Sequence, residues 1–173
     1  MNQTLTTLKQ RCSTKKYLPK QVPDDLLDAV LEAGLYAPSG MNNQKIISVA
    51  VRDQQTRDQL SRMNAQVMGV DSDPFYGAPC VIVVLGDPTC RPTWVEDCSL
   101  VMGNLMNAAT SLGLGSCWVH RAREMFDSPE GKALLKKWGL PEHLRGVGNC
   151  LLGYSDGEPV RKPRAENRIL KVD

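Results

Sequence analysis

No stretch of this chain approaches the ~18 consecutive apolar residues that a membrane-spanning helix requires. The first residues, Met1 to Leu8, lack a basic segment followed by a long apolar core, so no secretory leader is visible. Neither sign of charge dominates: 21 Lys and Arg stand against 19 Asp and Glu, a net charge of +2. A field that weak excludes a protein whose main work is gripping nucleic acid through its overall charge, and leaves room only for a local basic pocket. The six cysteines (Cys12, Cys80, Cys90, Cys98, Cys117 and Cys150) form no C-x-x-C pair and have no clustered histidine partner. That spacing argues against zinc and iron–sulfur centres and predicts reduced, mostly buried thiols in a cytoplasmic protein. Internal repeats, low-complexity tracts and a G-x-G-x-x-G dinucleotide fingerprint are missing too.

What is present is globular: 173 residues, 42% apolar and 23% charged. That supports one sizeable core and falls short of two ordinary domains, so residues 1–173 read as a single unit. A short helical segment precedes Arg11. The spacing of Leu27, Val30, Leu31, Gly34 and Leu35 predicts a helix over 24–37, opened by Pro23-Asp24 and stopped by Pro38-Ser39-Gly40. Ile46–Val51 reads as a strand. Residues 55–68 read as a helix with a Leu60, Met63, Val67 stripe. Cys80-Val81-Ile82-Val83-Val84-Leu85 suits a strand buried on both faces. Residues 93–112 form the longest expected helix, apolar nearly all round through Trp94, Val95, Val101, Met102, Leu105, Met106, Ala109 and Leu112. Such a helix belongs in a core or a subunit interface. A strand at 116–119, a helix at 128–138 with Pro129 in its first turn, and a strand at 147–154 complete an α+β or α/β layered domain. The polar tail, 157–173, carries Arg161, Lys162, Arg164 and Arg168, and is either disordered or wrapped on a neighbouring subunit.

Three segments hold chemistry. In Arg11-Cys12-Ser13-Thr14-Lys15, an extended backbone would bring alternate residues Arg11, Ser13 and Lys15 together as a phosphate cradle; a solvated basic helix end is the plainer alternative. In Ala37-Pro38-Ser39-Gly40-Met41-Asn42-Asn43-Gln44, hydroxyl and amide side chains suit the polar edge of a heteroaromatic ring, against an ordinary helix-ending turn. In Gly113-Leu114-Gly115-Ser116-Cys117-Trp118-Val119-His120, the glycines permit close backbone approach to a ligand, against a helix cap followed by a strand with a surface histidine.

Their order resembles the nitroreductase family of flavin-dependent oxidoreductases. The opening Arg-x-Ser-x-Lys followed by Tyr17 matches that family's first motif. Val22-Pro23, Leu26 and Ala37 through Gln44 match its second, Gly113 through Trp118 its third, and Leu152-Gly153-Tyr154 with Lys162-Pro163-Arg164 its ending. The resemblance spans residues 8–168. It implies an α+β, three-layer fold, a mixed and mostly antiparallel sheet flanked by helices, in an intertwined homodimer with FMN at the interface. It implies that Arg11, Ser13 and Arg164 bind the FMN phosphate, with Cys12 among the cofactor-binding residues, and that Lys15 lies nearer the ribityl chain or pyrimidine edge. Pro38, Ser39, Gly40, Asn42 and Gln44 would come from the partner, and Trp118, Val119 and His120 would approach the ring through a backbone N–H.

The implied activity is ping-pong: hydride passes from NADH or NADPH to flavin N5 and on to an electron-poor small-molecule acceptor such as a nitroaromatic, quinone or enone. No catalytic side chain, metal, nucleic acid or membrane is called for. The other readings are a flavin-binding carrier or sensor without turnover, and relatives that break down flavin or remove halogen reductively. Three departures from the family pattern stand out: Cys12 replaces a second Arg, Lys45-Ile46 replaces a Pro and an aromatic, and His120-Arg121 replaces small residues. If the side chains of the last pair face the flavin, they favour NADPH or anionic substrates.

Overall fold

Six apolar residues in a row leave a strand no side to turn towards water, and the fold supplies cover for both. The computed structural model describes residues 2–158 and 160–172; Met1, Pro159 and Asp173, which the sequence reading places in the single domain and its tail, lie outside the described residues. In chain order the helices are α1 (Gln3–Gln10), α2 (Asp24–Leu35), α3 (Gln54–Met68), α4 (Trp94–Ser111), α5 (Ala122–Asp127) and α6 (Pro129–Lys137). The strands are β1 (Ile46–Val51), β2 (Cys80–Gly86), β3 (Gly115–Val119) and β4 (Arg145–Gly153). They form one sheet in the order β1-β2-β4-β3. Every residue of β2 is buried.

Alternation along β2 divides the core in two. Val81, Val83 and Leu85 meet Leu60 and Met63 of α3, Phe126 of α5 and Leu135 of α6. Cys80, Ile82 and Val84 meet Leu27 and Val30 of α2 and Val101, Met102 and Leu105 of α4. This is the expected three-layer α+β arrangement. All three pairings between the strands are antiparallel, and the parallel component is a single bridge between Ser13 and Ser116 on the outer edge of β3.

Local signals place the boundaries. The Asp53 carboxylate accepts from Thr56 N–H at 2.8 Å to start α3, and Ser128 caps α6 ahead of Pro129. Leu35 and Val67, expected on buried stripes, and Leu112, expected on the apolar helix, are exposed instead. Leu35 and Leu112 lie in the last turn of α2 and at the cap of α4, beyond the neighbours that cover the preceding turns. The structure adds α5, which apolar periodicity does not announce. Its buried face is only Ala122, Met125 and Phe126, too short to display a period.

All six cysteines are free; Cys80, Cys98, Cys117 and Cys150 are buried. Burial pushes the Cys80 and Cys98 thiols up to about 12, so they pack as small apolar groups rather than as nucleophiles. Among the described residues no helix is long and apolar enough to cross a membrane.

The turn between α3 and β2 is pinned by one carboxylate. Asp73 accepts from Arg57 Nη2 at 2.6 Å, from the Ser61 hydroxyl, and from the N–H groups of Phe75 and Gly77. Burial opposes its charge, but the Arg57 guanidinium, the Ser61 hydroxyl and the two N–H groups more than offset this, so it titrates below the usual carboxylate range. A depressed folded-state value contributes stability above the unfolded value near 3.9, and that stability is lost as pH falls through the folded value. Asp73→Asn therefore melts at a lower temperature than the parent at neutral pH, and the gap narrows progressively as pH falls below about 4; thermal melts across that range check it.

Candidate functional site

The basic segment after α1 does not continue as helix. Arg11 closes α1, and the chain then runs extended beside β3 and beyond the end of β4. Thr14 N–H donates to Ser116 O at 2.9 Å, Leu18 N–H to Tyr154 O at 2.9 Å, and Asp156 N–H to Lys16 O at 3.0 Å. Thr14 is buried against the sheet while Ser13 and Lys15 are exposed, which is the alternation expected of an extended strand. The lay-down depends on Gly115: a Cβ there would sit 2.6 Å from Thr14 Oγ1 and 2.9 Å from its Cβ and Cγ2.

A cavity of about 840 Å³ opens over this segment, lined by Arg11, Cys12, Ser13 and Lys15 and, from the far end of the chain, Arg161, Lys162 and Arg164. Lys9 and Lys16 add further positive charge, with Asp156 and Glu158 opposing it; Lys16 is paired with Asp156 at 2.7 Å. The positive field reaches the strand below. Burial raises the Cys117 thiol, and the Ser13 hydroxyl with the charges of Lys15 and Arg11 works the other way. The Lys15 ammonium also lies 5.9 Å from the ring centre of Tyr76, a residue held at φ 53°.

The Asn-rich loop is built elsewhere. Ser39 and Gln44 border a separate cavity of about 160 Å³ between the end of α2, the start of β1 and Val101 of α4. Gln44 N–H donates to Ser39 Oγ at 3.1 Å, and Gln44 Nε2 to Asn42 Oδ1 at 2.8 Å. Met41, Asn42 and Gln44 have φ of 53°, 55° and 54°. Three non-glycine residues in the left-handed region within one loop mark a conformation that the surroundings impose. Asp97 of α4 anchors the start of the loop: its Oδ1 accepts from Gly40 N–H at 2.8 Å, and a Cβ on Gly40 would stand 2.4 Å from Thr93 Oγ1. Pro38 is exposed beside this loop.

The third segment presents backbone rather than side chains. Trp118 packs against the α2–α4 core and Val119 belongs to the other core, while His120 is exposed beyond the strand. Arg121 follows at φ 74° as the residue that opens α5.

The structure thus gathers Arg11, Cys12, Ser13, Lys15 and Arg164 around one cavity, with β3 leading from it to His120. It keeps Pro38, Ser39, Gly40, Asn42 and Gln44 apart from them. Ser116 pairs with Leu152 and Ile46 with Gly86, which pairs with Arg145, so the two groups occupy diagonal corners of the sheet. At ordinary strand spacings the corners are about 14 Å apart across the sheet and about 24 Å along it. Sequence reasoning missed Asp97, Thr14 and Tyr76. An acid inside an otherwise apolar helix was the available signal for Asp97; nothing local marked the other two.

Replacing Gly115 by Ala forces Thr14 off β3 and loosens the segment that carries Arg11, Ser13 and Lys15. Overpacking of this kind costs about 1–3 kcal/mol, so the dissociation constant for FMN, the ligand implied by the resemblance, rises about tenfold; quenching of flavin fluorescence on titration measures it.

The family model for the nitroreductase family matches residues 8–72 and 66–154. A nitroreductase with bound FMN from Bacteroides fragilis NCTC 9343 superposes with a TM-score of 0.92 at 32% identity, covering 100% of both chains. A nitroreductase with bound FMN from Desulfitobacterium hafniense DCB-2 gives 0.89 at 28% identity, also over 100% of both. The NADPH-flavin oxidoreductase of Vibrio harveyi is 26% identical over 180 residues, 98% of this chain and 73% of its own. With its motifs in register, its whole length superposable on these structures and most of its residues matched by the family model, this chain belongs to the nitroreductase family.

Proposed function

We propose that this chain is an FMN-dependent NAD(P)H oxidoreductase that works as a homodimer, each flavin lying between the cation-lined cavity of one copy and the Asn-rich loop of the other. The observation that carries the reading is the diagonal separation of the two groups. Both have the polar chemistry a flavin needs, and a single chain keeps them at opposite corners. A two-fold-related copy brings one corner against the other.

The donor set fits the group. A phosphate monoester carries nearly two negative charges, and Arg11, Arg164 and the Ser13 hydroxyl line one cavity from both ends of the chain, with Cys12 beside them. Lys15, further along the extended segment, places its ammonium near the ribityl chain or the pyrimidine edge and stabilises negative charge developing there. Ser39, Asn42 and Gln44 of the second copy supply donors and acceptors for polar ring atoms, on a loop that Asp97 keeps in shape. The end of β3 contributes backbone N–H near His120. When bound, FMN supplies the hydride acceptor and donor that this chain's side chains do not, so no residue is assigned as acid, base or nucleophile.

Exposed apolar groups support self-association. Leu35, Tyr36 and Met41 are 76%, 79% and 82% exposed, and Val160, Ile169 and Leu170 in the tail are 85%, 86% and 87% exposed. Groups of this size in water mark an interaction surface, which suits residues 157–173 docking on the partner subunit. Free, buried cysteines suit a reducing compartment such as the cytoplasm. The acceptor is an electron-poor small molecule, a nitroaromatic, quinone or enone.

The purified protein should be a yellow dimer with one FMN per chain, and NADH or NADPH added without oxygen should bleach it. A colourless monomer indifferent to FMN overturns the reading, and colour that neither nucleotide bleaches marks a carrier or sensor. Arg11→Ala and Arg164→Ala each remove charge-assisted hydrogen bonds and weaken FMN binding by about tenfold or more. Arg121→Ala tests nucleotide choice: a raised KM for NADPH with KM for NADH unchanged places its guanidinium at the ribose phosphate, and unchanged values for both remove it from the site.

A further inference from the structure

Two asparagines are fully buried where the sheet meets α3 and α5, and neither takes part in the site described so far. Asn64 of α3 and Asn149 of β4 are both 0% exposed. Asn64 Nδ2 donates to His120 O at 2.7 Å and lies 3.3 Å from Met125 Sδ. Asn149 Nδ2 donates to Val119 O at 3.4 Å and lies 3.6 Å from the same sulfur. The two side chains therefore catch successive backbone carbonyls at the point where β3 ends. Their own Oδ1 atoms find no hydrogen-bond partner. Burying an amide with half its capacity unmet is unfavourable, so this pair is not explained by filling space.

The consequence lies on the other side of each peptide. In a regular strand successive carbonyls alternate in direction. Here the Val119 carbonyl meets the Asn149 amide of β4 and the His120 carbonyl meets the Asn64 amide of α3. Neither peptide is cis, and in a planar trans peptide the N–H points opposite to the C=O. The His120 N–H is therefore turned away from the Asn149 amide, and the Arg121 N–H away from the Asn64 amide. Arg121 sits at φ 74° and ψ 9° where it opens α5, and a left-handed residue is one half of the backbone conformation whose successive N–H groups receive negative charge.

We infer that Asn64 and Asn149 are positioning residues for hydride transfer, holding the Val119 and His120 carbonyls so that the His120 and Arg121 N–H groups face the reacting edge of the flavin. The inference rests on the proposed flavin site. A donor fixed in advance at the edge where electron density arrives is effective because it need not reorganise during the reaction. The asparagines touch neither cofactor nor substrate and act only through the backbone between them and the ring.

Two variants test this. Asn64→Leu removes the donor with little change in size; Asn64→Asp keeps the shape and donates only while its carboxyl is protonated. In the FMN-free Asn64→Leu protein, hydrogen exchange at residues 120–122 should accelerate about tenfold while α6 exchanges as in the parent. After loading, FMN affinity should stay within about threefold of the parent, because the phosphate grip is untouched. The reduction potential of the bound flavin should become more negative, and its reduction by NADH or NADPH should slow about tenfold in kcat with KM unchanged. Asn64→Asp should behave like Asn64→Leu at high pH and regain the parent's potential and rate at low pH, within one folded protein. If Asn64→Leu fails to fold, that pH comparison decides the matter alone. Variants that merely melt earlier, with the parent's exchange, potential and rate, overturn the inference. A parent that takes up no FMN overturns the functional reading with it, whereas a parent that binds FMN and bleaches while its variants match it overturns this inference only.

Discussion

The architecture depends on a strand that has no side for water. Once Cys80 to Leu85 is sheltered on both faces, helices must stack above and below it, and β1 and β4 must flank it. The outer edges of the sheet are then β1 and β3, and the two groups of the proposed site lie at those edges. The edge of β3 is covered by the basic segment that follows α1, and the start of β1 is reached through the strained Asn-rich loop. A central strand that could tolerate solvent would have allowed a two-layer domain and a different placement of both groups.

Much of this was legible in the sequence because it rests on local rules. The Ser128-Pro129 opening of α6, the Pro38 stop after α2 and the unbroken apolar run of β2 each act within a few residues, and the structure honours them. The segment Arg11–Lys15 was legible as a cradle because alternation in an extended chain is a local property. α5 was not legible, since three buried positions make no period. The exposure of Leu35, Val67 and Leu112 was not legible either. An apolar side chain near a helix end announces that it wants cover, but not whether this chain provides it.

The polar residues that shape the site were the hardest to see. Asp97 acts on Gly40, and Asn64 on His120, 56 residues away in the chain. Each is a hydrogen bond across the fold between a side chain and backbone, and neither leaves a motif. Gly115 reads in the sequence as a glycine that permits close approach, but what approaches it in the folded chain is Thr14. Polar exceptions inside apolar elements are the trace such residues leave, and they become informative once their partners are known.

The basic cavity is closed by Arg11 on one side and Arg164 on the other. Contacts between residues about 150 positions apart carry the largest loop-closure entropy and are among the last to form. During synthesis, Arg11 emerges from the ribosome well before Arg164, and the growing polypeptide meanwhile presents a half-finished cradle. On the proposed placement of the flavin phosphate, cofactor capture waits until Arg164 has been made, so that loading follows folding rather than serving as its nucleus.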